Sequence, residues 1–553
     1  MDVGELLSFQ PEKPAPISAA AKKRKNDRNA AEARGKQRRV EDLDDYTEKE
    51  KIMALLDDAD ESTEGLDEGS LKKMLLQFEK RVLRNQEMRI KYPDLPEKFM
   101  ESEMELNDIL QEMHVIATMP NLYHILVSLN AVHSLMQLIG HDNTDISIGV
   151  IDLIQELTDV DALNESEEDA DILVDTLLEG QVVAVLVQNL DRLDESIKEE
   201  ADGVHNTLGV IENITEFRPE LCPEAAKAGL MQWILKRIKA KMPFDANKLY
   251  CSEILAILLQ NHEDNRQLLG EMDGIDVLLQ QLAIYKKHDP ANSEEVELME
   301  NLFNCLCSSL MLSSNKDRFL KGEGLQLMIL MLREKKMSRH SAIKVLDHAM
   351  TGSDGSDNCQ KFIDILGLRS VFPIFMKTPK VTKKGTSSEE LEEHIASVIA
   401  NLLKNCQGSQ RQRLLSKFTE NDHEKVDRLM ELHFKYLDKV RVVDQQIEKE
   451  RNELKRYGKD LDDDEEEQDR YYLQRLEAGL FTLQLVDYIM LDVCASGATT
   501  VKQRVMQILN MRGGSVKAIR NIMREYAGNI GETNDAETRE AEQNKLVALV
   551  DKF

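Results

Sequence analysis

The feature that most constrains this chain is a repeat. Six apolar stretches recur: "NAVHSLMQLI" (130–139), "GQVVAVLVQNL" (180–190), "GLMQWILKRI" (229–238), "GIDVLLQQL" (274–282), "GLQLMILML" (324–332) and "GLRSVFPIFM" (367–376). They open at Ala131, Gly180, Gly229, Gly274, Gly324 and Gly367, and successive openings are 43 to 50 residues apart. A period in the forties marks stacked helical units. Glycine at an opening predicts a tight turn between two helices, because it adopts φ > 0 without a Cβ clash. A short helix-like stretch precedes each opening, as "NRQLLGEMD" precedes Gly274, and a longer amphipathic one follows, as at 294–312. One such unit cannot bury its apolar stripe alone, whereas about six stacked units share a continuous core.

Three helices per unit, one of them short, is the armadillo pattern, with two-helix HEAT repeats the close alternative. The expected fold is all-α: an armadillo/HEAT-like right-handed superhelical solenoid with a disordered N-terminal tail and a helical C-terminal cap. With only 26 Gly and 12 Pro in 553 residues, breakers are sparse enough for such a chain. The expected divisions are a basic tail over 1–45, an acidic linker and capping helices over 46–110, repeats over 111–410 and a C-terminal helical region over 411–553. Residues 1–45 lack the large apolar residues needed to offset ordering entropy, and "DDADESTEGLDEG" (57–69) reads as a solvated linker. After about residue 410 the period fades. A helix is expected over 418–440 with Thr419 and Asn421 as N-cap candidates. The stretch 447–470 reads as an exposed charged insertion that frays at Gly458. Trp233 and Leu278 lie on the apolar stripes of second helices and should be buried. No apolar run approaches 18 residues, and the start lacks a basic segment followed by an apolar one, so neither a membrane span nor secretion is expected.

Catalytic chemistry finds no foothold. "KGEGLQLM" (321–328) begins like a phosphate loop but lacks the third glycine and sits at a repeat opening. The seven cysteines are scattered, and "CLC" (305–307) has no second Cys/His pair at zinc-site spacing, which leaves ordinary helix cysteines in a reducing compartment. No nucleophile, base or metal-ligand constellation appears, so the chain reads as a non-enzyme without a cofactor. The formal net charge is −30, yet residues 21–40 hold nine Lys or Arg against two acids. Lys22, Lys23, Arg24 and Lys25 are separated by ten residues from Lys36, Arg38 and Arg39. Two basic clusters so spaced resemble a bipartite nuclear localisation signal, readable by an acidic pocket on an import receptor. A solvated tail is the plain alternative. Direct nucleic-acid contact is not expected from so acidic a chain.

In armadillo proteins the third helix of each unit lines the concave face, and an asparagine ladder on it grips the backbone of an extended peptide. Here the third helices are expected at 144–159, 196–214, 246–260, 294–312, 341–350 and 387–405. Matching the apolar frame places Asn213 and Asn401 at the ladder position, with Glu156, Leu258, Ser308 and Asp347 at the others, so the ladder is degenerate. Asn213 and Asn401 read equally well as polar residues packed between repeats. Asp152, Glu156, Glu199, Glu200 and Glu212 also lie on these helices, and an acidic face would favour basic, extended peptides. Pairing with lysines of neighbouring repeats is the competing use of these acids.

Longer strings are more specific. "MDVGELLS" at the start, "KFMESEMELNDILQEMH" (98–114), "ADGVHNTL", "KAKMPFDANKLYCSE", "FLKGEGLQLM", "KVLDHAM", "KFTENDHEKVDRLMELHFKYL" and "QILNMRG" together resemble the beta-catenin-like family of armadillo proteins. The resemblance implies a nuclear, non-enzymatic scaffold or adaptor of a Prp-nineteen-type spliceosomal complex in pre-mRNA splicing. It implies partners with basic, nuclear-localisation-like segments: splicing factors, among them a Myb-like component, and activation-induced deaminase where present. An importin-alpha-like transport receptor is the alternative. The degenerate ladder and the lack of repeated Trp, with Trp233 the chain's only one, weigh against it.

Overall fold

The computed structural model describes residues 67–379, 387–456, 465–530 and 536–553, and among them no strand occurs. The chain forms two compact units that divide after Arg218. The first begins with α1 (Glu68–Lys91) and α2 (Pro96–Met113). Asp67 caps α1 by accepting from the Ser70 amide at 2.7 Å, and Pro96 opens α2 at a position where its missing N–H costs nothing. Repeats 1 and 2 follow. Their short helices are Tyr123–Ser128 and Glu167–Glu179, their second helices Ala131–Ile139 and Val182–Leu190, and their third helices α3 (Thr144–Leu157) and α4 (Lys198–Phe217). Within this unit α2 packs on α3, and α3 on α4.

The second unit contains repeats 3 to 7. Their third helices are α5 (Ala246–Leu259), α6 (Ser293–Ser309), α7 (Ser338–Met350), α8 (Ser388–Asn405) and α9 (Leu480–Ser496), each packed on the next. Asp245, Asn292 and Ser387 start α5, α6 and α8 by accepting from Lys248, Glu295 and Glu390 amides, satisfying donors that a helix start leaves open. Repeat 7 is where the period fades in the sequence. Its short helix is Gly408–Ser416, its second helix runs 33 residues over Glu424–Arg456, and a further helix at Glu465–Glu477 intervenes before α9. The charged stretch thus extends one helix and separates it from the next, masking a three-helix unit that is structurally present; Gly458 lies outside the described residues. The helices Thr499–Arg512, Val516–Gly528 and Ala536–Lys552 complete this unit. Trp233 is 9% exposed and Leu278 is fully buried, as their stripe positions predict.

Two expectations need correction. Among the six openings only Gly229 itself takes positive φ, at 107°. The left-handed residue elsewhere is Asn130, Gln181, Asp273, Glu323 or Leu366. Glycine is required at Gly274, Gly324 and Gly367 for a different reason. A Cβ there would fall 2.5 Å from Leu269, 2.2 Å from Phe319 and 2.4 Å from Phe362, the apolar anchor five residues back on each short helix. Neither Thr419 nor Asn421 caps a helix. Thr419 donates to the Ser416 carbonyl at 2.9 Å, and Asn421 takes φ of 50° in a left-handed turn that continues through Asp422 and His423.

Buried asparagines join the second unit's repeats to one another. Asn265, Asn315 and Asn358 each stand third on their short helix and are at most 1% exposed. Asn265 donates to the Cys222 and Leu258 carbonyls (3.2 and 2.7 Å), and Asn315 to those of Arg266 and Ser309 (2.8 and 3.1 Å). Asn358 donates to the Lys316 carbonyl at 3.3 Å. Every acceptor belongs to the preceding repeat. Gly270 makes room for this, since a Cβ at 270 would lie 2.0 Å from Asn315 Oδ1. Asn315→Ala should therefore remove two hydrogen bonds to the preceding repeat and destabilise the second unit by about 1–3 kcal/mol. Hydrogen exchange should quicken in both short helices that Asn315 joins, at 263–271 and 313–321; acceleration confined to 313–321 would contradict the inter-repeat role.

Candidate functional site

The outward faces of α3 and α4 form the most strongly charged surface that the sequence-predicted site residues share. The two helices approach closely because residue 203 is glycine: a Cβ there would sit 2.7 Å from Ile148 Cγ1. Apolar residues of both helices turn inward, Val150, Ile151, Ile154, Val204, Leu208 and Ile211 among them. What remains outside is acidic. The helices carry eight carboxylates, at Asp145, Asp152, Glu156, Glu199, Glu200, Asp202, Glu212 and Glu216, against one lysine, Lys198, and one histidine, His205. Asp145, Glu199, Asp202 and Glu216 are exposed; Asp152, Glu156, Glu200 and Glu212 are partly buried.

The partly buried acids hold the face together. His114, on the turn after α2, places Nδ1 2.8 Å from Glu156 Oε2 and Nε2 3.8 Å from Asp152 Oδ2. Asn206 donates to Asp152 at 2.9 Å. Glu200 accepts from the Asp194 amide at 2.6 Å and from the Thr144 hydroxyl at 3.3 Å, fixing the turn before α4. Asn213 donates to the Gln155 carbonyl at 3.2 Å. It is thus engaged with the neighbouring repeat, the second of the two readings its sequence position allowed.

In the second unit the corresponding polar groups are drawn inward. Ser341 donates to Glu300 at 2.9 Å, and burial pushes the Glu300 carboxyl above the usual range. Asp347 accepts from the Ser397 hydroxyl at 2.5 Å and pairs with His394 Nδ1 at 2.9 Å. Burial alone would lower the His394 pKa, but the bond to Asp347 and its charge raise it. Asn401 is 7% exposed, and its amide faces Asp347, Thr351 and Ser397 at 3.3–3.5 Å. A residue so enclosed does not grip a peptide, so the ladder role expected at Asn401 gives way to packing between repeats. Leu258 is fully buried and Ser308 partly so. Glu392 is reached by Arg428, Lys435 and the Tyr436 hydroxyl at 3.0, 2.7 and 2.7 Å. Burial opposes its charge, yet the bonds from Lys435 and Tyr436 hold its pKa below the usual value. Thr482 ties Glu393 to α9 at 2.8 Å.

Other concentrations of reactive groups do not assemble a centre. All seven cysteines are buried, and burial pushes the Cys307 thiol up to about 12, which works against a metal-binding thiolate at "CLC". No group of three or more His, Cys, Asp or Glu suited to a metal occurs among the described residues. A concavity of about 900 Å³ near the end of the long helix mixes Asp444, Glu448 and Asp469 with Arg451, Tyr471 and Arg475. Arg475 there is engaged by Asp444 and Glu525. Lys22, Lys23, Arg24, Lys25, Lys36, Arg38 and Arg39 lie outside the described residues. The sequence reading missed Asp145, Asp202 and Glu216, although three- and four-residue steps from Asp152 and Glu199 lead along the same outward lines. It missed His114 for want of any local signal, because the histidine and its partners are some forty residues apart.

A family model described as "Catenin-beta-like, Arm-motif containing nuclear" matches residues 50–524. The beta-catenin-like protein 1 of Bos taurus is 66% identical over 489 residues, covering 88% of this chain and 86% of its own. That of Rattus norvegicus is 60% identical over the full length of both, and the homolog of Schizosaccharomyces pombe is 32% identical over 90% of this chain and 86% of its own. A solved structure from work on a phosphorylation switch between cadherin and beta-catenin aligns with 77% of this chain and 66% of its own, at 13% identity and a TM-score of 0.45.

The difference between the two faces is measurable. Asp347→Ala should lower stability by about 1–3 kcal/mol, because Ser397 and His394 lose a buried partner. Glu199→Ala and Glu216→Ala should each change it by less than about 0.5 kcal/mol, as exposed substitutions do. Urea-unfolding midpoints of the three variants distinguish a structural acid from an available one; equal shifts would erase the distinction.

Proposed function

Because the chain belongs to the catenin-beta-like family of Arm-motif-containing nuclear proteins, we propose that it is a nuclear adaptor that holds lysine- and arginine-rich segments of partner proteins on the face of α3 and α4. The observation that carries this reading is the availability of charge. In the first unit Asp145, Glu199, Asp202 and Glu216 remain exposed, whereas the second unit's Asp347, Glu392 and Glu393 are bound to neighbouring helices. Exposed carboxylates in register on two packed helices attract an extended basic segment from a distance and orient its side chains by charge-assisted hydrogen bonds. No bond-making step is required of the face; it brings proteins together.

The family resemblance directs the partner assignment. The segments are nuclear-localisation-like stretches of splicing factors in a Prp-nineteen-type complex, its Myb-like component foremost, and of activation-induced deaminase where present. The N-terminal basic clusters serve as an address for an import receptor. A transport receptor of the importin-alpha type needs free asparagine amides along its groove. The engagement of Asn213 with Gln155 and of Asn401 with Asp347, Thr351 and Ser397 therefore favours the adaptor.

Two experiments follow. Glu199→Lys combined with Glu216→Lys should leave the helical circular dichroism unchanged and weaken binding of a Lys/Arg-rich splicing-factor peptide by roughly tenfold or more, one to two charge-assisted contacts' worth. Wild-type affinity should also fall from low to physiological salt. Calorimetry that finds the same affinity in the folded double variant moves the site off α4. Replacing Lys22, Lys23, Arg24, Lys25, Arg38 and Arg39 with Ala should reduce nuclear accumulation without altering the thermal midpoint. Full nuclear retention after depletion of the binding partners would defeat the address reading.

A further inference from the structure

The first helix carries an apolar line that the described residues leave open. Leu76, Leu83 and Ile90 recur every seven residues along α1 and are 66%, 58% and 82% exposed. The helix buries Leu71, Leu75, Phe78 and Val82 on its inner side. At about 100° per residue the exposed line runs about 120° around the helix from that side. It lies on a different flank from the one facing α2, where Arg84 meets Glu101 and Glu105 and Asn85 meets Ser102. Single exposed leucines are ordinary on a protein surface. Three large apolar residues at heptad spacing are not, since they form the seam by which one helix packs along another.

The polar residues on either side of the seam select the occupant. One flank carries Lys73, Lys80 and Glu87, all exposed; the other carries Lys72, Glu79 and Gln86. We propose that the seam is a self-association surface, on which α1 of a second copy of this chain packs antiparallel about a two-fold axis beside Leu83. In that register Leu83 meets Leu83 of the second copy, and Leu76 meets Ile90. The axis sets each flank against its own copy, as in any isologous interface. At about 1.5 Å per residue, Lys80 lies about 4.5 Å to one side of the axis and Glu87 about 6 Å to the other. Each therefore stands opposite the other residue of the second copy, twice over. The same spacing puts Gln86 of the second copy opposite Glu79. Within the described residues Glu79 Oε1 is out of solvent and accepts no hydrogen bond, and the Gln86 side-chain amide is a donor. A parallel pair would instead set Lys72 beside Lys73 of the second copy and leave Glu87 facing only Gln86. The sequence of α1 is thus complementary to itself in one direction, which favours a second copy over a different protein. A helix pair about 21 Å long is smaller than a standard interface of about 1,600 Å², so the dimer is weak and reversible. A dimer so formed carries the acidic face of α3 and α4 twice.

Sedimentation velocity of the full chain from about 1 to 100 µM, the range suited to a weak interface, tests this. The unmodified chain should pass from monomer to dimer. Leu83→Glu sets two carboxylates together at the axis and should hold the chain monomeric throughout, with circular dichroism and thermal midpoint kept. Lys80→Glu alone and Glu87→Lys alone each bring like charges together twice, and each should raise the dissociation constant roughly tenfold or more. Mixed in equal amounts, these two variants should form a heterodimer about as readily as the unmodified chain pairs with itself, because each offers the charge that the other lacks. A monomer at every concentration would overturn the proposal and leave the line to a different protein. A dimer that Leu83→Glu does not weaken would overturn it by placing the contact elsewhere. Single variants that weaken the dimer and are not rescued by mixing would refute the antiparallel register.

Discussion

The arrangement of the second unit depends on one small interaction made three times. A buried asparagine, third on the short helix of its repeat, donates to a carbonyl of the repeat before it: Asn265 to Cys222, Asn315 to Arg266, Asn358 to Lys316. Apolar burial drives the stacking but is indifferent to small slips, since a leucine displaced along a groove still finds apolar neighbours. A hydrogen bond inside a water-free interface is not indifferent, because losing it strands a donor and an acceptor together. The asparagines therefore fix the spacing at which the glycines, Gly270 above all, let adjacent helices meet. The third helices repeat the device on the other side, through Asn301 to Ser252, Ser341 to Glu300 and His394 to Asp347.

This use of polar residues decides where charge is left over. Where a carboxylate is tied to the next helix, as Glu392 is to Arg428, Lys435 and Tyr436, it has little to offer a partner. Where they are exposed, as at Glu199, Asp202 and Glu216, the carboxylates keep their water and stay available. A strongly acidic chain can thus be selective about where it is adhesive. Formal charge is spread along the sequence, and on α3 and α4 the carboxylates of Asp145, Glu199, Asp202 and Glu216 remain exposed.

Much of this was legible in the sequence, and the reasons for the remainder are specific. The six apolar openings and the third helices were readable because their 3.6-residue period is strong. The short helices were harder. "EDNRQLLGE" and "SSNKDRFLK" hold few apolar residues, and an asparagine among charged residues looks like a turn, so the residues that lock the stack passed unnoticed. At Gly274, Gly324 and Gly367, unlike Gly229, the glycine serves a close approach and not a left-handed turn; the two look alike in a sequence, and only the distances to Leu269, Phe319 and Phe362 separate them. The seventh repeat was hidden because its second helix continues into a charged stretch, which breaks the interval though not the packing. In the candidate site, Glu199 was readable from its place on the helix. Whether Asn213 and Asn401 face outward or a neighbouring backbone depends on residues such as Gln155 and Asp347, forty to sixty positions away, which no local pattern reports.

The central claim is that basic segments are held where carboxylates remain available and not where they are engaged. A Lys/Arg-rich splicing-factor peptide carrying a photoreactive side chain, cross-linked to the full chain at physiological salt and mapped by mass spectrometry, tests it most directly. The account predicts adducts within 144–157 and 198–217, suppressed by excess unmodified peptide. Competable adducts confined to 338–350 and 388–405 would contradict it.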